Sequence, residues 1–118
     1  MITQETISDA VSRLVAVAQP TRIILFGSHS RGTAHDRSDL DFLVIEDHVS
    51  ARRAETVRLQ DALRPLRIPV DIVVTSQQTY EAWQDTPNTV YYDAARDGIV
   101  CYESVTDRKT RDCQRYCR

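Results

Sequence analysis

The amino-acid sequence predicts a single domain of α/β or α+β class, in which helices flank one β-sheet. Two patterns support this prediction: segments with helical apolar spacing or with helix-capping residues alternate with short runs that are apolar or rich in β-branched residues. The third observation is the size of the chain. Its 118 residues, 42% hydrophobic and 27% charged, suit one ordinary globular domain and leave no room for a second of normal size.

The first helix is predicted between Thr3 and Pro20. Thr3 is a candidate N-cap, and the proline marks a stop. Between them, apolar side chains recur at steps of three and four: Ile7, Ala10, Val11, Leu14, Val15 and Ala18. The run 22–26 that follows is short, apolar and closed by Gly27, which is typical of a buried strand.

The middle of the chain is predicted to form two further strands and a helix. The polar stretch 28–38 reads as a loop or a short helix, and a second strand is predicted over 39–45. Apolar residues among charges predict a helix over 51–63. The β-branched run 69–74 predicts a third strand, whose first residue, Pro69, is tolerated at a strand start.

Two helices and a strand complete the prediction. A short helix capped by Thr75 or Ser76 is expected to run to Trp83, and a second one is expected to open at Thr86-Pro87 and to run as far as Asp97. Gly98 is then a natural left-handed C-cap. A brief final strand is expected over 99–102.

The charge is distributed unevenly along the chain. The net charge is −2, but residues 1–103 hold 10 Lys and Arg against 15 Asp and Glu, whereas residues 104–118 hold 5 against 2. We therefore predict a folded domain over 1–103 and a basic C-terminal tail over 104–118. The tail is either a solvated terminus or a contact for an anionic partner. Because the whole chain is not basic, we expect no direct binding to nucleic acid.

The sequence indicates a cytoplasmic protein without membrane spans. Its longest apolar run is the five residues 14–18, and its first residues lack the basic and apolar segments of a signal peptide. The three cysteines are Cys101, Cys113 and Cys117. Because an odd number does not suit a disulfide framework, we expect reduced thiols.

Three aspartates are candidates for a metal site. Asp39 and Asp41 are two residues apart, so in a strand their side chains point to one face. Adjacent carboxylates repel each other and are normally found where a cation neutralises both, and hard oxygen ligands suit Mg²⁺ or Mn²⁺. Asp71 is a lone acid in an apolar strand and is expected beside them in the sheet. Three acids with two divalent ions form a site for phosphoryl or nucleotidyl displacement.

A candidate phosphate-binding turn follows the first strand. Gly27 would let a phosphate approach the backbone, and Ser28 can add a hydroxyl donor. This turn is not a Walker loop, because no Gly-Lys-Ser/Thr follows it. Together, the turn and the aspartates are predicted to bracket a triphosphate.

The spacing of these two motifs carries a family resemblance. Gly27-Ser28, ten residues, then Asp39-Leu40-Asp41 resembles the signature of the nucleotidyltransferase superfamily related to DNA polymerase beta. Further residues match the Gly-Ser-x-x-Arg-Gly-x-Ala and Ser-Asp-Leu-Asp pattern of its small bacterial and archaeal branch: Arg31-Gly32, Ala34, Ser38 and Leu43-Val44. The chain is thus similar to the minimal nucleotidyltransferase (MNT) family over roughly residues 5–103.

The resemblance implies a nucleotidyltransferase fold, with a mixed sheet flanked by helices, and roles for individual residues. It makes Asp39 and Asp41 ligands of two metal ions, Asp71 the third carboxylate, on the catalytic metal, and Ser28 a contact of the β and γ phosphates. Nucleotide contacts are also expected from three neighbouring residues: Gly27, Arg31 and Ser38. Arg31 has a second interpretation, in which it braces the loop through an ion pair with Asp36 or Asp39. His29 departs from the aromatic residue that many relatives have at this position.

The resemblance also implies a function. MNT proteins pair with HEPN-domain proteins, many of them as antitoxins to an RNase toxin. The chain is therefore expected to be a Mg²⁺-dependent nucleotidyltransferase that moves AMP from ATP to a hydroxyl, a tyrosine of a partner HEPN toxin, and to act as a type VII-like antitoxin by AMPylation. Two alternatives stay open: an antitoxin that only covers its HEPN partner, and a nucleotidyltransferase that acts on a small molecule.

Overall fold

The computed structural model describes residues 3–27 and 39–104. Helix α1 (Gln4–Ala18) begins at the predicted cap, where the backbone N–H of Thr6 donates to the Thr3 hydroxyl at 3.2 Å. It ends at Gln19, which adopts a left-handed conformation with φ 48°. Its inner face buries four of the predicted apolar residues: Ile7, Ala10, Val11 and Leu14. The sequence pattern therefore predicted both the limits and the buried face of this helix.

Four strands form one mixed sheet in the described residues: β1 (Arg22–Phe26), β2 (Leu40–Glu46), β3 (Val70–Ser76) and β4 (Ile99–Glu103). Their order is β3-β2-β1-β4, in which β2 and β3 run parallel and the other pairs run antiparallel. A parallel pair needs a crossover connection. Helix α2 (Arg52–Leu63) and the 3₁₀ turn Arg64–Leu66 supply it. The predicted mixed sheet with flanking helices is confirmed.

The two faces of the sheet are covered by different helices. Alternate residues of β2, Leu40, Phe42 and Val44, belong to the larger core cluster with residues of α1 and α2. The intervening residues Leu43 and Ile45 belong to a smaller cluster on the opposite face. That cluster includes residues of α3 (Gln77–Trp83) and α4 (Val90–Asp97). No helix in the described residues is long and apolar enough to cross a membrane.

The start of α4 corrects a prediction. The helix was expected to open at Pro87, but it begins at Val90. Asn88 adopts a left-handed conformation with φ 70°, which a helix cannot contain, and the Thr89 hydroxyl then accepts from the backbone N–H of Tyr92 at 3.1 Å. The cap is therefore two residues beyond the proline, because the turn that precedes it occupies Pro87 and Asn88.

Gly98 also differs from expectation. It follows α4 in an extended conformation, with φ −76° and ψ 163°, and is not a left-handed cap. A Cβ added at this position would overlap the carbonyl oxygen of Ala94 and the Cγ2 atom of Ile24. Glycine is therefore required here by the close packing of the helix end on β1, and not by backbone strain.

Candidate functional site

The two middle strands place Asp41 and Asp71 side by side. In the parallel register of β2 and β3, Asp41 lies directly opposite Asp71, and neighbouring strands are about 4.8 Å apart. The backbone N–H of Leu40 donates to the carbonyl oxygen of Pro69 at 2.9 Å, which fixes this register immediately before the aspartates. Asp71 thus lies beside Asp41 in the sheet, as its position in an apolar run predicted.

Asp39 lies outside the paired strand positions that hold Asp41 and Asp71. It is exposed and immediately precedes β2, two residues before Asp41. Within residues 3–27 and 39–104, no three His, Cys, Asp or Glu side chains form a group that could hold a metal ion. The structure therefore brings two of the three predicted ligands to adjacent positions, and a metal-binding role for Asp39 stays a prediction.

Gly27 contacts the same carboxylate. Phe26 is the register partner of Asp41 across β1 and β2, and Gly27 follows it with φ 82°, in the left-handed region that favours glycine. A Cβ added at Gly27 would overlap the Oδ2 atom of Asp41 and lie 3.2 Å from its Cγ atom. A glycine at this strand end is therefore required twice, by its own backbone conformation and by the position of the Asp41 side chain.

Replacement of Gly27 by alanine is expected to affect both stability and nucleotide binding. The left-handed conformation would cost about 1 to 2 kcal/mol for a residue with a Cβ, and the Asp41 carboxylate would be displaced. Thermal unfolding and the Mg²⁺-dependent affinity for ATP would measure the two effects. Gly98→Ala is the matched control, because its overlap involves Ala94 and Ile24 and no acidic residue. Unchanged ATP affinity in Gly27→Ala would contradict a role for this contact in the site.

The other predicted nucleotide contacts fall in a part of the chain that the structure does not cover. Ser28, Arg31 and Ser38 lie outside the described residues, as does the basic segment after Ser104. Their roles stay predictions.

The described acids fit a divalent cation that is completed by substrate. Carboxylates directly opposite each other on adjacent strands repel, and a divalent ion relieves that repulsion. Mg²⁺ is usually bound through one or two carboxylates together with substrate phosphates and water, and it does not need an all-protein cage. Asp41 and Asp71 meet this requirement, and the absence of a Cβ at Gly27 keeps space open beside Asp41.

A second ionisable group, which the sequence did not suggest, lies at the other end of β2. Glu46 is buried, with 8% of its surface exposed. Burial, together with a hydrogen bond to Glu55, raises the pKa of Glu46 to about 8. The same hydrogen bond lowers the pKa of Glu55, and Arg58 lowers it further. The sequence gives little indication that Glu46 is buried, because an acidic residue at a strand end is normally solvated.

Comparisons with known proteins connect the first of these sites to a family. A family model described as a nucleotidyltransferase domain matches residues 5–96. This segment contains the Gly27 turn and all three aspartates. No curated protein matches the sequence significantly.

Solved structures share the fold. A Sulfolobus solfataricus protein described as a nucleotidyltransferase is similar with a TM-score of 0.60 and 16% identity, over 85% of this chain and 79% of its own. A chain from a toxin–antitoxin complex with AMP-PNP gives a TM-score of 0.60 at 24% identity, covering 86% and 77%. A chain from the complex of a tri-AMPylated Shewanella oneidensis HEPN toxin with its MNT antitoxin gives 0.56 at 19% identity, covering 91% and 78%.

Proposed function

The chain belongs to the nucleotidyltransferase domain family, and from this we propose that it is a Mg²⁺-dependent enzyme that transfers AMP from ATP to a tyrosine of a HEPN toxin. The observation that carries the proposal is the placement of Asp41 opposite Asp71 with Gly27 packed against it. These residues stand in the segment that the family model matches. Transfer would inactivate the toxin, so the protein would act as its antitoxin.

The proposed reaction is a displacement at phosphorus. The oxygen of the acceptor hydroxyl forms a bond to the α-phosphorus of ATP, the bond to the bridging oxygen breaks, and pyrophosphate leaves with the electron pair. The proton of the hydroxyl passes to solvent. The divalent ions, held by Asp39, Asp41 and Asp71, would supply positive charge for the phosphates and lower the pKa of the hydroxyl.

The protein positions this chemistry through its backbone. Asp41 and Asp71 are held together by the parallel register and by the backbone hydrogen bond from Leu40 to Pro69. Gly27 adopts a left-handed conformation at the end of β1, beside Asp41. Ser28, directly after this turn, would donate to the phosphates.

The nucleotide and the partner are supported by two of the similar structures. One is a toxin–antitoxin complex with AMP-PNP, an ATP analogue, and the other is a complex of an MNT antitoxin with a tri-AMPylated HEPN toxin. These complexes support ATP as the substrate and a HEPN toxin as the acceptor for this chain also. Inhibition of the toxin by AMP transfer must then be distinguished by experiment from inhibition by binding that only covers the toxin.

A protection experiment separates these two mechanisms. Cells that express the HEPN toxin would carry either the wild-type chain or the Asp39→Asn/Asp41→Asn variant, at equal protein levels. If transfer inactivates the toxin, the variant fails to protect, although it still co-purifies with the toxin. Full protection by the variant would show that binding alone neutralises the toxin, and the transfer proposal would fall.

Binding of ATP is expected to stabilise the protein only when a divalent ion is present. A ligand at a hundredfold excess over its dissociation constant stabilises the native state by about 2.7 kcal/mol, which corresponds to a rise of roughly ten degrees in Tm for a domain of this size. At pH 8, ATP with Mg²⁺ should give this rise and ATP alone much less. Asp41→Asn should remove most of the Mg²⁺-dependent part. Equal shifts with and without Mg²⁺ would show that the carboxylates are not a metal site.

A further inference from the structure

The sheet face that carries Asp41 and Asp71 also carries apolar side chains. Leu43 belongs to the smaller core cluster, so Asp41, two residues earlier in β2, points to the same face. Val73 packs against the same cluster, so Asp71, two residues earlier in β3, points to this face as well. The two acids therefore lie at one border of the apolar face that α3 and α4 cover.

Three apolar side chains on this face are half-buried, and we call them the apolar wall: Phe26, Val73 and Tyr91. Phe26 is directly opposite Asp41 in the register of β1 and β2, and the Cβ atoms of opposite residues are about 5 Å apart. Val73 follows Asp71 by two strand positions, about 7 Å along the same face. Tyr91 reaches the same cluster from α4.

The wall is half-buried although the core beneath it is closely packed. Leu43 and Ile24, its neighbours in the sheet, are 0% and 1% exposed. The exposed parts of the wall therefore add nothing to the packing of the core, and they lie next to two carboxylates. Ligand sites in proteins are lined mainly by apolar and aromatic side chains, with a few polar groups that orient the ligand. This combination is typical of a site for a ligand with a charged end and an apolar end.

The order of groups on the sheet indicates which part of a nucleotide meets the wall. The predicted phosphate-binding turn, Gly27-Ser28, directly follows Phe26 at the end of β1. A divalent ion at Asp41 and Asp71 would hold the phosphates at the border of the apolar face. The nucleoside then extends either over the wall or past the exposed Asp39, out into solvent. A base gains affinity by stacking on aromatic side chains, which favours the wall.

The acceptor is expected on the other side of the site. In an in-line displacement, the attacking oxygen lies opposite the leaving pyrophosphate. Because the phosphate-binding turn follows β1, the pyrophosphate would leave on the β1 side, and the acceptor hydroxyl would approach from the side of β3. Phe26 belongs to β1, and Tyr91 belongs to α4, which packs on β1. These two rings are therefore closer to the nucleotide than to the acceptor.

On the premise of the proposed function, we propose that the apolar wall binds the base of the nucleotide, with Tyr91 and Phe26 as its aromatic contacts. Val73 contributes an aliphatic contact at the next strand. The ribose would bridge the distance between the phosphates at Asp41 and the base at the wall. The wall would thus orient the α-phosphorus by holding the nucleoside at its far end.

The chemistry of the wall predicts selection of purines as a class. The side chains of Phe26 and Val73 have no hydrogen-bonding atom, and Tyr91 has one hydroxyl. Such a surface recognises the area of a ring and not the donor pattern of its edge, so ATP and GTP should bind with affinities within about tenfold of each other. CTP, with a smaller ring, should bind more weakly than either. A preference for ATP over GTP of more than about a hundredfold would indicate readout by hydrogen bonds, and would overturn the wall as the determinant of base binding.

The test compares the affinities of the full-length protein for ATP and for inorganic tripolyphosphate, each with Mg²⁺, by isothermal titration calorimetry. Tripolyphosphate keeps the three phosphates and lacks the base. Tyr91→Ala should weaken ATP binding about tenfold and leave tripolyphosphate binding unchanged, which also shows that the variant is folded. Phe26→Leu should give a smaller loss with the same selectivity. Tyr92→Ala is the matched control on the same helix, because its ring lies 5.3 Å from the guanidinium of Arg96, and it should leave both affinities unchanged.

The outcomes separate the base contact from the proposed function. Unchanged ATP affinity in Tyr91→Ala, or an equal loss of ATP and tripolyphosphate affinity, would overturn the base contact. A rise in KM for the partner alone would overturn it too, and would assign the wall to the acceptor ring. In these cases the wild type still binds tripolyphosphate with Mg²⁺, and the proposed function stands. If the wild type binds neither compound, the proposed function fails and the base contact fails with it.

Discussion

Replacement of Asp41 by asparagine is expected to slow AMP transfer by at least about a thousandfold. The exchange keeps the shape of the side chain and removes its charge, so the proposed metal ions would lose a ligand on β2. Metal ions contribute several kcal/mol to such reactions, and about 1.4 kcal/mol corresponds to a factor of ten in rate. The fold should be preserved, because Asp41 lies opposite another acid and its charge does not stabilise the pair. Initial rates of transfer from α-labelled ATP to the partner would measure the effect.

The matched control for this experiment is Asp61→Asn. Asp61 lies on α2, is exposed and forms a surface ion pair with Arg64, so its removal changes the net charge equally without touching the proposed site. Its transfer rate should stay close to that of the wild type. Asp71→Asn should behave like Asp41→Asn, because the two residues share a register position. A loss of less than tenfold in Asp41→Asn would show that this carboxylate is not a metal ligand.

Local patterns in the sequence were sufficient to predict the parts of the fold that depend on short-range periodicity. The limits of α1 follow from Thr3 and Pro20, and the strands follow from apolar runs. The start of α4 could not be predicted in this way. Pro87 is a good first helical residue, but the left-handed conformation of Asn88 delays the helix to Val90. That conformation depends on how the chain returns from α3 to the sheet, which no local pattern contains.

The candidate site was predictable to the extent that its residues are close in sequence or share a sheet. Strand alternation predicted Asp39 and Asp41 on one face, although β2 begins only at Leu40, and an acid in an apolar strand predicted the position of Asp71. The contact between Gly27 and Asp41 was not predictable, because it depends on the register between β1 and β2. The family resemblance implied the roles of the three aspartates, whereas the strand register determines how Asp41 and Asp71 are arranged.

Glu46 shows a further limit of prediction from sequence. As the last residue of β2, followed by Asp47 and His48, it resembles the polar end of a strand. Its burial arises because α2 brings Glu55 and Arg58 against it. Only the packing of α2 on the sheet determines that Glu46 is buried while its neighbour Asp47 remains solvated.

The free energy of unfolding is expected to decrease as pH rises from about 5 to about 8. The native state raises the pKa of Glu46 from 4.5 to about 8, so in this interval the native protein keeps a proton that the unfolded chain has lost. Stability therefore falls with pH, by up to about 1.4 kcal/mol per unit for one such group. The contribution of Glu55 has the opposite sign, because its pKa is lowered. That contribution is lost only as pH falls below the unfolded value of 4.5, outside this interval.

Glu46→Gln should remove this slope, because glutamine cannot lose a proton and can donate to Glu55 as the protonated acid does. At pH 8.5 the variant should be more stable than the wild type by several kcal/mol, because the slope acts over about three pH units, and near pH 5 the two should be similar. Urea unfolding at a series of pH values would measure both curves. Glu5→Gln, at the exposed start of α1, removes the same charge outside the cluster and should leave the slope in place. Parallel curves for the wild type and Glu46→Gln between pH 5 and 8 would show that Glu46 holds no proton in the native state.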